Sequence, residues 1–231
     1  MGKGAKNYYE SRLGGLETVT GILMPHADGA KADGMRAYMR EQFQFLGIPT
    51  PVRRKLLKDF FKQARDQTDV DWQFVNACWE NQYREFQYVG ADYLAAVQHL
   101  LTPSDLTRIR HLIRTKSWWD TADMFARIVG VIVLDHPAAA KTMLKWSTDR
   151  DFWVRRVAIN HQLLHKEKTN TELLEQTLVN NLDDSEFFIN KAIGWALRDY
   201  SKTNADWVRS FIAQHGDHMA PLTLREASKY L

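Results

Sequence analysis

The segment Lys116-Ser117-Trp118-Trp119-Asp120-Thr121-Ala122-Asp123 puts two aromatic rings and two carboxylates close together along the chain. Such a combination is costly to place at a helix start unless it has a task. Read as a helix start, Ser117 is the N-cap and Asp120, three residues on, completes a capping box. That gives Asp120 a structural task and leaves Asp123 without one. At about 100° per residue, Trp118, Ala122, Phe125, Val129 and Ile132 form one apolar stripe for a core. Trp119, Asp123, Ala126 and Gly130 fall on a second face, which offers a ring and a carboxylate one turn apart with small residues beneath that leave room for an approaching group. The plainer alternative is that Trp119 packs on a neighbouring helix and Asp123 is a solvated first-turn acid favoured by the helix dipole.

A second face of this kind lies after Asp184-Ser185. Ile189, Ile193, Ala196, Leu197 and Tyr200 make the buried stripe there, and Phe188, Lys191, Trp195, Arg198 and Lys202 run roughly opposite. A tryptophan flanked by cations suits a basic groove beside a polyanion; the alternative is a ring packed under the aliphatic stems of its neighbours. Two further helices carry early cations. Thr50-Pro51-Val52-Arg53-Arg54-Lys55 sets positive side chains against the dipole at an N-terminus, where phosphate or plain solvent would relieve the conflict. Asp151-Phe152-Trp153-Val154-Arg155-Arg156 opens the other, and its arginines are either phosphate ligands or ion-paired surface residues. His161 and His165 have the i, i+4 spacing of metal ligands but no third ligand nearby, so no metal is expected.

The elements that must position these residues are helices. Strand signals are absent, and breakers recur at Pro25, Gly47 to Pro51, Thr102 to Ser104, His136-Pro137, Thr169-Asn170, Asp183 to Ser185, Gly216-Asp217 and Pro221. From about residue 50 the helix pairs return about every 35 to 45 residues, the period of two-helix solenoid repeats. A single domain, residues 1–231, is expected, with about 1–31 a less regular, Gly-rich cap. With 45% hydrophobic and 26% charged residues among 231, the composition is that of a soluble globular chain, and eight tryptophans exclude disorder. The lone Cys78 excludes an internal disulfide and reads as a small buried filler. No stretch has the length of a membrane span, and Met1 to Lys6 lacks the apolar run of a signal peptide, so the expected location is the cytoplasm. A net charge of +3 is only mildly basic, so a case for nucleic acid rests on where the charges sit.

Several blocks together resemble the AlkD-type DNA alkylation repair family: Phe45 to Arg54, Arg84-Glu85-Phe86-Gln87, Lys116 to Asp120, Phe152 to Arg156, and Phe187 to Arg198 with its Lys-Ala-Ile-Gly-Trp core. They run in order from about residue 35 to near the C-terminus. The resemblance implies an all-α fold, a curved right-handed solenoid of HEAT-like antiparallel helix pairs whose concave face cradles duplex DNA. It implies glycosylase excision of N3- and N7-alkylated purines such as 3-methyladenine and 7-methylguanine, without a cofactor. The catalytic aspartate of the family falls on Asp123, its cleft tryptophans on Trp119 and Trp195, its arginine on Arg156 and a tyrosine at the front of the cleft on Tyr38. Arg53, Arg54, Arg155, Lys191, Arg198 and Lys202 complete the expected DNA-binding set. Arg155 stands where some relatives are neutral, which leaves the choice of phosphate-holding arginine between it and Arg156, and Pro49 departs from a polar contact.

On this resemblance the alkylated base leaves readily because it is cationic, and the protein has to stabilise the oxocarbenium-like sugar and position water. Asp123 would do the first by electrostatics, the two tryptophans would face the cationic nucleotide, and Arg156 would hold a phosphate. The expected partner is double-stranded DNA with alkylated bases, engaged by a monomer that associates with the nucleoid when bound. The rival reading is a helical-repeat module that binds nucleic acid or protein and does no chemistry.

Overall fold

The computed structural model describes residues 15–231. The first fourteen residues of the expected cap, and with them the Met1 to Lys6 segment, lie outside the described residues. Fourteen α-helices joined by short turns make up the described residues, with no strand among them and one bridge pairing of Gln44 with Tyr83. The architecture is all-α, of the helical-repeat kind. It divides into two compact units, the first ending at Leu101 and the second running Thr102–Leu231.

The first unit holds α1 (Gly15–Leu23), α2 (Gly29–Tyr38), α3 (Thr50–Leu56), α4 (Lys58–Ala64), α5 (Trp72–Glu80) and α6 (Arg84–Ala96). The described part of the expected irregular cap is therefore helical: α1 buries Val19 and Leu23, and Asp28 caps α2 by accepting the Lys31 N–H. Two of the blocks that carry the family resemblance turn out to lock each other. The carboxylate of Glu85, fully buried, accepts the backbone N–H groups of Leu46 (2.9 Å), Gly47 (2.9 Å) and Ile48 (3.1 Å). Gln87 donates to the carbonyls of Cys78 and Asn81 at the end of α5. A buried carboxylate with three N–H donors is satisfied without a cation. Gly47 is required at this turn: its φ is +86°, and a Cβ would lie 2.0 Å from the Asp28 carbonyl oxygen. Cys78 is fully buried and burial pushes its thiol pKa up, as fits a filler.

The second unit holds α7 (Leu106–Arg114), α8 (Trp119–Asp135), α9 (Ala140–Trp146), α10 (Phe152–Asn160), α11 (Thr171–Val179), α12 (Phe187–Ser201), α13 (Ala205–His215) and α14 (Pro221–Ala227), with a short 3-10 turn at Ser228–Tyr230. Polar residues start four of these helices: Asp151, Asn170, Glu186 and Asn204 each accept a first-turn N–H, that of Trp153, Leu173, Phe188 or Trp207. The two predicted apolar stripes face the core. Ala122, Phe125, Val129 and Ile132 of α8 are each at most 2% exposed, and Ile189, Ile193, Ala196 and Leu197 of α12 are buried with Val208 and Phe211 of α13.

Ion pairs tie successive helix pairs together. Arg53 and Arg54 reach Asp92, Arg110 reaches Asp149, Arg155 reaches Asp184, Arg156 reaches Asp123, and Lys191 and Arg198 reach Glu226. The partners stand between 28 and 39 residues apart. That is close to the length of one helix pair, so the architectural repeat, unreadable as a motif, shows as a repeat in charge pairing.

Candidate active site

The turn before α8 departs from the expected capping box. Lys116 has φ +52°, which turns the chain out of α7, and the Ser117 hydroxyl donates back to the Ile113 carbonyl (2.7 Å). Ser117 thus closes the preceding helix, and the N-cap of α8 is the extended Trp118, which offers no side-chain cap. Asp120 still serves the helix start, because its carboxylate accepts the Thr121 N–H at 2.8 Å. The structural task assigned to Asp120 stands, with a different partner. The ring of Trp118 enters an aromatic cluster with Trp153 (5.8 Å) and Phe188 (5.5 Å), which sets the beginnings of α8, α10 and α12 side by side.

One turn into α8, Asp123 meets Arg156 of α10. The guanidinium donates Nε–H to Oδ1 and Nη2–H to Oδ2 of Asp123, both at 2.9 Å, and Nη1–H to the Phe188 carbonyl at 2.7 Å. Arg156 is 2% exposed, whereas the Asp123 side chain is 25% exposed. The expectation that Arg156 holds a phosphate therefore needs correction. Its guanidinium lies inside the protein, and three of its five N–H groups are committed to α8 and α12. A bidentate arginine occupies one lone pair on each carboxylate oxygen and leaves the other pair of each without a protein partner. Burial raises the Asp123 pKa above its ordinary value, Asp120 pushes the same way, and the charge and hydrogen bonds of Arg156 oppose them. The small residues beneath Asp123 do not leave an open space. Ala126 is buried, and a Cβ on Gly130 would lie 2.1 Å from the His161 carbonyl oxygen, so the glycine lets α8 and the end of α10 pack closely.

Trp195 of α12 stands on the other side of the arginine. Its ring centroid is 5.4 Å from the Arg156 guanidinium, 5.7 Å from the Lys191 ammonium and 5.8 Å from the Arg198 guanidinium. All three are within reach of a cation–π attraction, and the ring is partly exposed. The face of α12 that carries it is only partly open. α14 packs against it: a Cβ on Gly194 would come within 2.6 Å of the Glu226 Cβ, and the Thr223 hydroxyl donates to the Asn190 carbonyl at 3.0 Å. Glu226, 5% exposed, accepts from Lys191 (3.0 Å), Arg198 (2.6 Å) and Lys229 (3.2 Å). Burial raises its pKa, but the hydrogen bonds and charges of Lys191 and Lys229 outweigh burial and leave it lowered. Neither Glu226 nor Lys229 was expected from the sequence. A lone glutamate in a short C-terminal helix carries no periodic signal of its own. Lys202 is exposed, with its ammonium 5.0 Å from the Tyr230 ring centroid. Trp119 is the first residue of α8, partly buried, one turn before Asp123.

The second unit thus brings together Asp123, Arg156, Trp195, Lys191 and Arg198. Arg155 is drawn elsewhere, to Asp184 (2.7 Å) and the Asp149 carbonyl (3.1 Å), with its side chain 20% exposed. Neither arginine of that pair projects as a phosphate ligand. In the first unit Tyr38 is exposed at the end of α2. Arg53 corrects another expectation. It is 2% exposed, paired with Asp92 at 3.1 Å, with its guanidinium 4.8 Å from the Tyr88 ring centroid, so it is held inside the fold and not presented at the surface as expected. Arg54 is exposed, and the hydrogen bond to Asp92 raises its pKa. Asp92 resolves the charge conflict at the start of α3 for which phosphate was considered. His161 is buried and held to a pKa of about 4 by burial, and no group of three metal-ligating side chains occurs among the described residues.

Comparison with known proteins places the chain in a family. A family model described as DNA alkylation repair enzyme matches residues 21–231. A solved structure titled a predicted DNA alkylation repair enzyme from Enterococcus faecalis is 36% identical, with a TM-score of 0.82 over 89% of this chain and 96% of that one. Comparison with curated proteins gives no match. With the family matched over nearly all of the described residues, the chain belongs to the DNA alkylation repair enzyme family.

Proposed function

We propose that this protein is a DNA glycosylase that excises positively charged N3- and N7-alkylated purines, 3-methyladenine and 7-methylguanine among them, from duplex DNA in base excision repair. The observation that carries the reading is the Asp123 carboxylate, one-quarter exposed and fixed by two 2.9 Å bonds from one guanidinium, which itself lies 5.4 Å from the ring centroid of the partly exposed Trp195. Alkylation at N3 or N7 makes the base a cationic leaving group. The remaining barrier is the positive charge that grows on the sugar as the glycosidic bond lengthens. A carboxylate already oriented, with a lone pair on each oxygen unspent, stabilises that charge without reorganising, and the same lone pairs can accept a proton of the attacking water.

Arg156 acts in this scheme as the positioning residue of Asp123. It sets the carboxylate plane and supports the ionised form against the burial that raises its pKa. The rings of Trp119 and Trp195 present faces to the cationic nucleotide, an attraction of about 0.5–2 kcal/mol each. Lys191, Arg198 and Lys202 supply contacts to the DNA backbone, and Tyr38 and Arg54 of the first unit are further DNA-contact residues. The protein acts as a monomer without a cofactor in the cytoplasm, on DNA of the nucleoid.

In a non-catalytic scaffold the Asp123–Arg156 pair would be only a strut between α8 and α10. Release of 7-methylguanine from duplex DNA, measured with protein in excess, separates the two readings. Release at the spontaneous rate would discard the glycosylase.

A further inference from the structure

Three cations share one buried carboxylate on the Trp195 side of α12. Lys191, Arg198 and Lys229 each place one donor on Glu226, which is itself 5% exposed. Three positive charges against one negative leave a net +2. The donors are far from spent: an ammonium has three N–H groups and a guanidinium five, so two remain on each lysine and four on the arginine. The cations are partly exposed, at 27% for Lys191, 26% for Arg198 and 47% for Lys229, so their outer donors face solvent while Glu226 holds them from beneath. Gly194 allows this arrangement, because any side chain there would strike Glu226. The Lys-Ala-Ile-Gly-Trp block therefore encodes a docking position for α14 as well as a tryptophan.

A buried carboxylate that served only to neutralise would pair with one cation. Here it gathers three from α12 and the chain after α14 and leaves a surplus of charge next to an aromatic ring. We propose that Lys191, Arg198 and Lys229, assembled on Glu226, form an anion site that takes a phosphate diester of the DNA backbone one turn from Trp195. The site rests on the DNA-acting reading above and adds to it the C-terminal turn, through Lys229, and the carboxylate that organises it. Phosphate fits because it is a compact anion with several acceptor oxygens, which three converging donors can satisfy together. Lys202 continues the same face of α12, eleven residues or about 16 Å beyond Lys191, so a strand followed along the helix meets a further cation.

The test is the salt dependence of binding to undamaged duplex DNA by the full chain. Lys229→Ala and Lys191→Ala should each weaken binding and flatten the slope of log affinity against log salt, and the Lys191→Ala/Lys229→Ala double variant should lose about 0.9 of that slope, the share of one phosphate contact. Lys141→Ala, an exposed lysine of α9 away from this cluster, measures what the loss of any single charge does and should leave the slope in place. Wild type with a steep slope and a Lys191→Ala/Lys229→Ala double variant indistinguishable from Lys141→Ala would overturn the anion site and leave the DNA-acting reading intact. Wild type without salt-dependent DNA binding would remove both.

Discussion

Replacing Asp123 with Asn removes the charge and nearly keeps the shape, which makes it the sharpest test of the proposed chemistry. Loss of one preorganised electrostatic stabiliser costs about 3 kcal/mol in the transition state, so excision should fall by at least about a hundredfold. The fold also feels the change. Arg156 is 2% exposed and loses its counter-charge, and the breaking of a buried pair by removal of one partner costs about 3–5 kcal/mol. Two features of the structure reduce that figure. The asparagine oxygen still accepts one of the two arginine bonds, and the Phe188 carbonyl still accepts Nη1–H. Burial already makes ionisation of Asp123 costly in the folded state, a cost that Asn does not carry. A net loss of about 1–3 kcal/mol follows, several degrees in Tm, which a circular dichroism melt resolves from unfolding at assay temperature. DNA affinity should hold or improve, because a negative charge leaves the site. The rate is read in a single-turnover assay on 7-methylguanine DNA at saturating protein. An Asp123→Asn protein within tenfold of wild type would refute the reasoning. Asp120→Ala, which forfeits the bond to the Thr121 N–H, should cost about 1 kcal/mol of stability and little rate, and the reverse pattern would reassign the site.

The pH profile offers a second test. The rate should fall on the acid side with an apparent pKa above the ordinary aspartate value of 3.8, and the Asp123→Asn protein should lack that limb. For Asp123 the folded state binds the proton more tightly than the unfolded chain, so its stabilising contribution is present at low pH and lost as pH rises through the folded pKa. Glu226 and Asp149 are lowered, so the stability they contribute lasts until pH falls below their ordinary values, and activity should disappear before the fold does. Selectivity should follow charge: duplexes with 7-methylguanine or a bulky N7 adduct release base, and uracil is retained, whereas rejection of the bulky adduct would point to a base-extruding pocket. Gly130→Ala should destabilise the second unit by about 1–3 kcal/mol or more, since its Cβ would meet a backbone carbonyl at 2.1 Å, and an unchanged Tm would contradict the packing described.

Much of this arrangement is legible along the chain because it is local. The stripe Ala122, Phe125, Val129, Ile132 follows helical period, and Asp123 stands out because that period gives it no core role. Trp195 is found by the same subtraction. The fate of the arginines is not legible. Arg53 and Arg156 look like surface cations within their own helices, and what takes them inside is a carboxylate 39 or 33 residues away, beyond the reach of any periodicity argument. Gly130 misleads for a related reason. A small residue reads as open space until the neighbouring helix that fills it is placed. Ser117 fits a capping signature, but the left-handed Lys116 before it turns the hydroxyl toward the helix just ended.

The spacing of the ion pairs bears on how such a chain can change. A lysine or arginine here is held by an acid located one helix pair along, so a substitution at one member leaves its counterpart stranded at a distant position. Compensation then has to arise some 28 to 39 residues away, and an insertion inside either helix would rotate the partner off its face by about 100° for each added residue. Length variation is therefore tolerated in the turns and resisted within the helices, and permitted changes of charge should travel in pairs separated by one repeat.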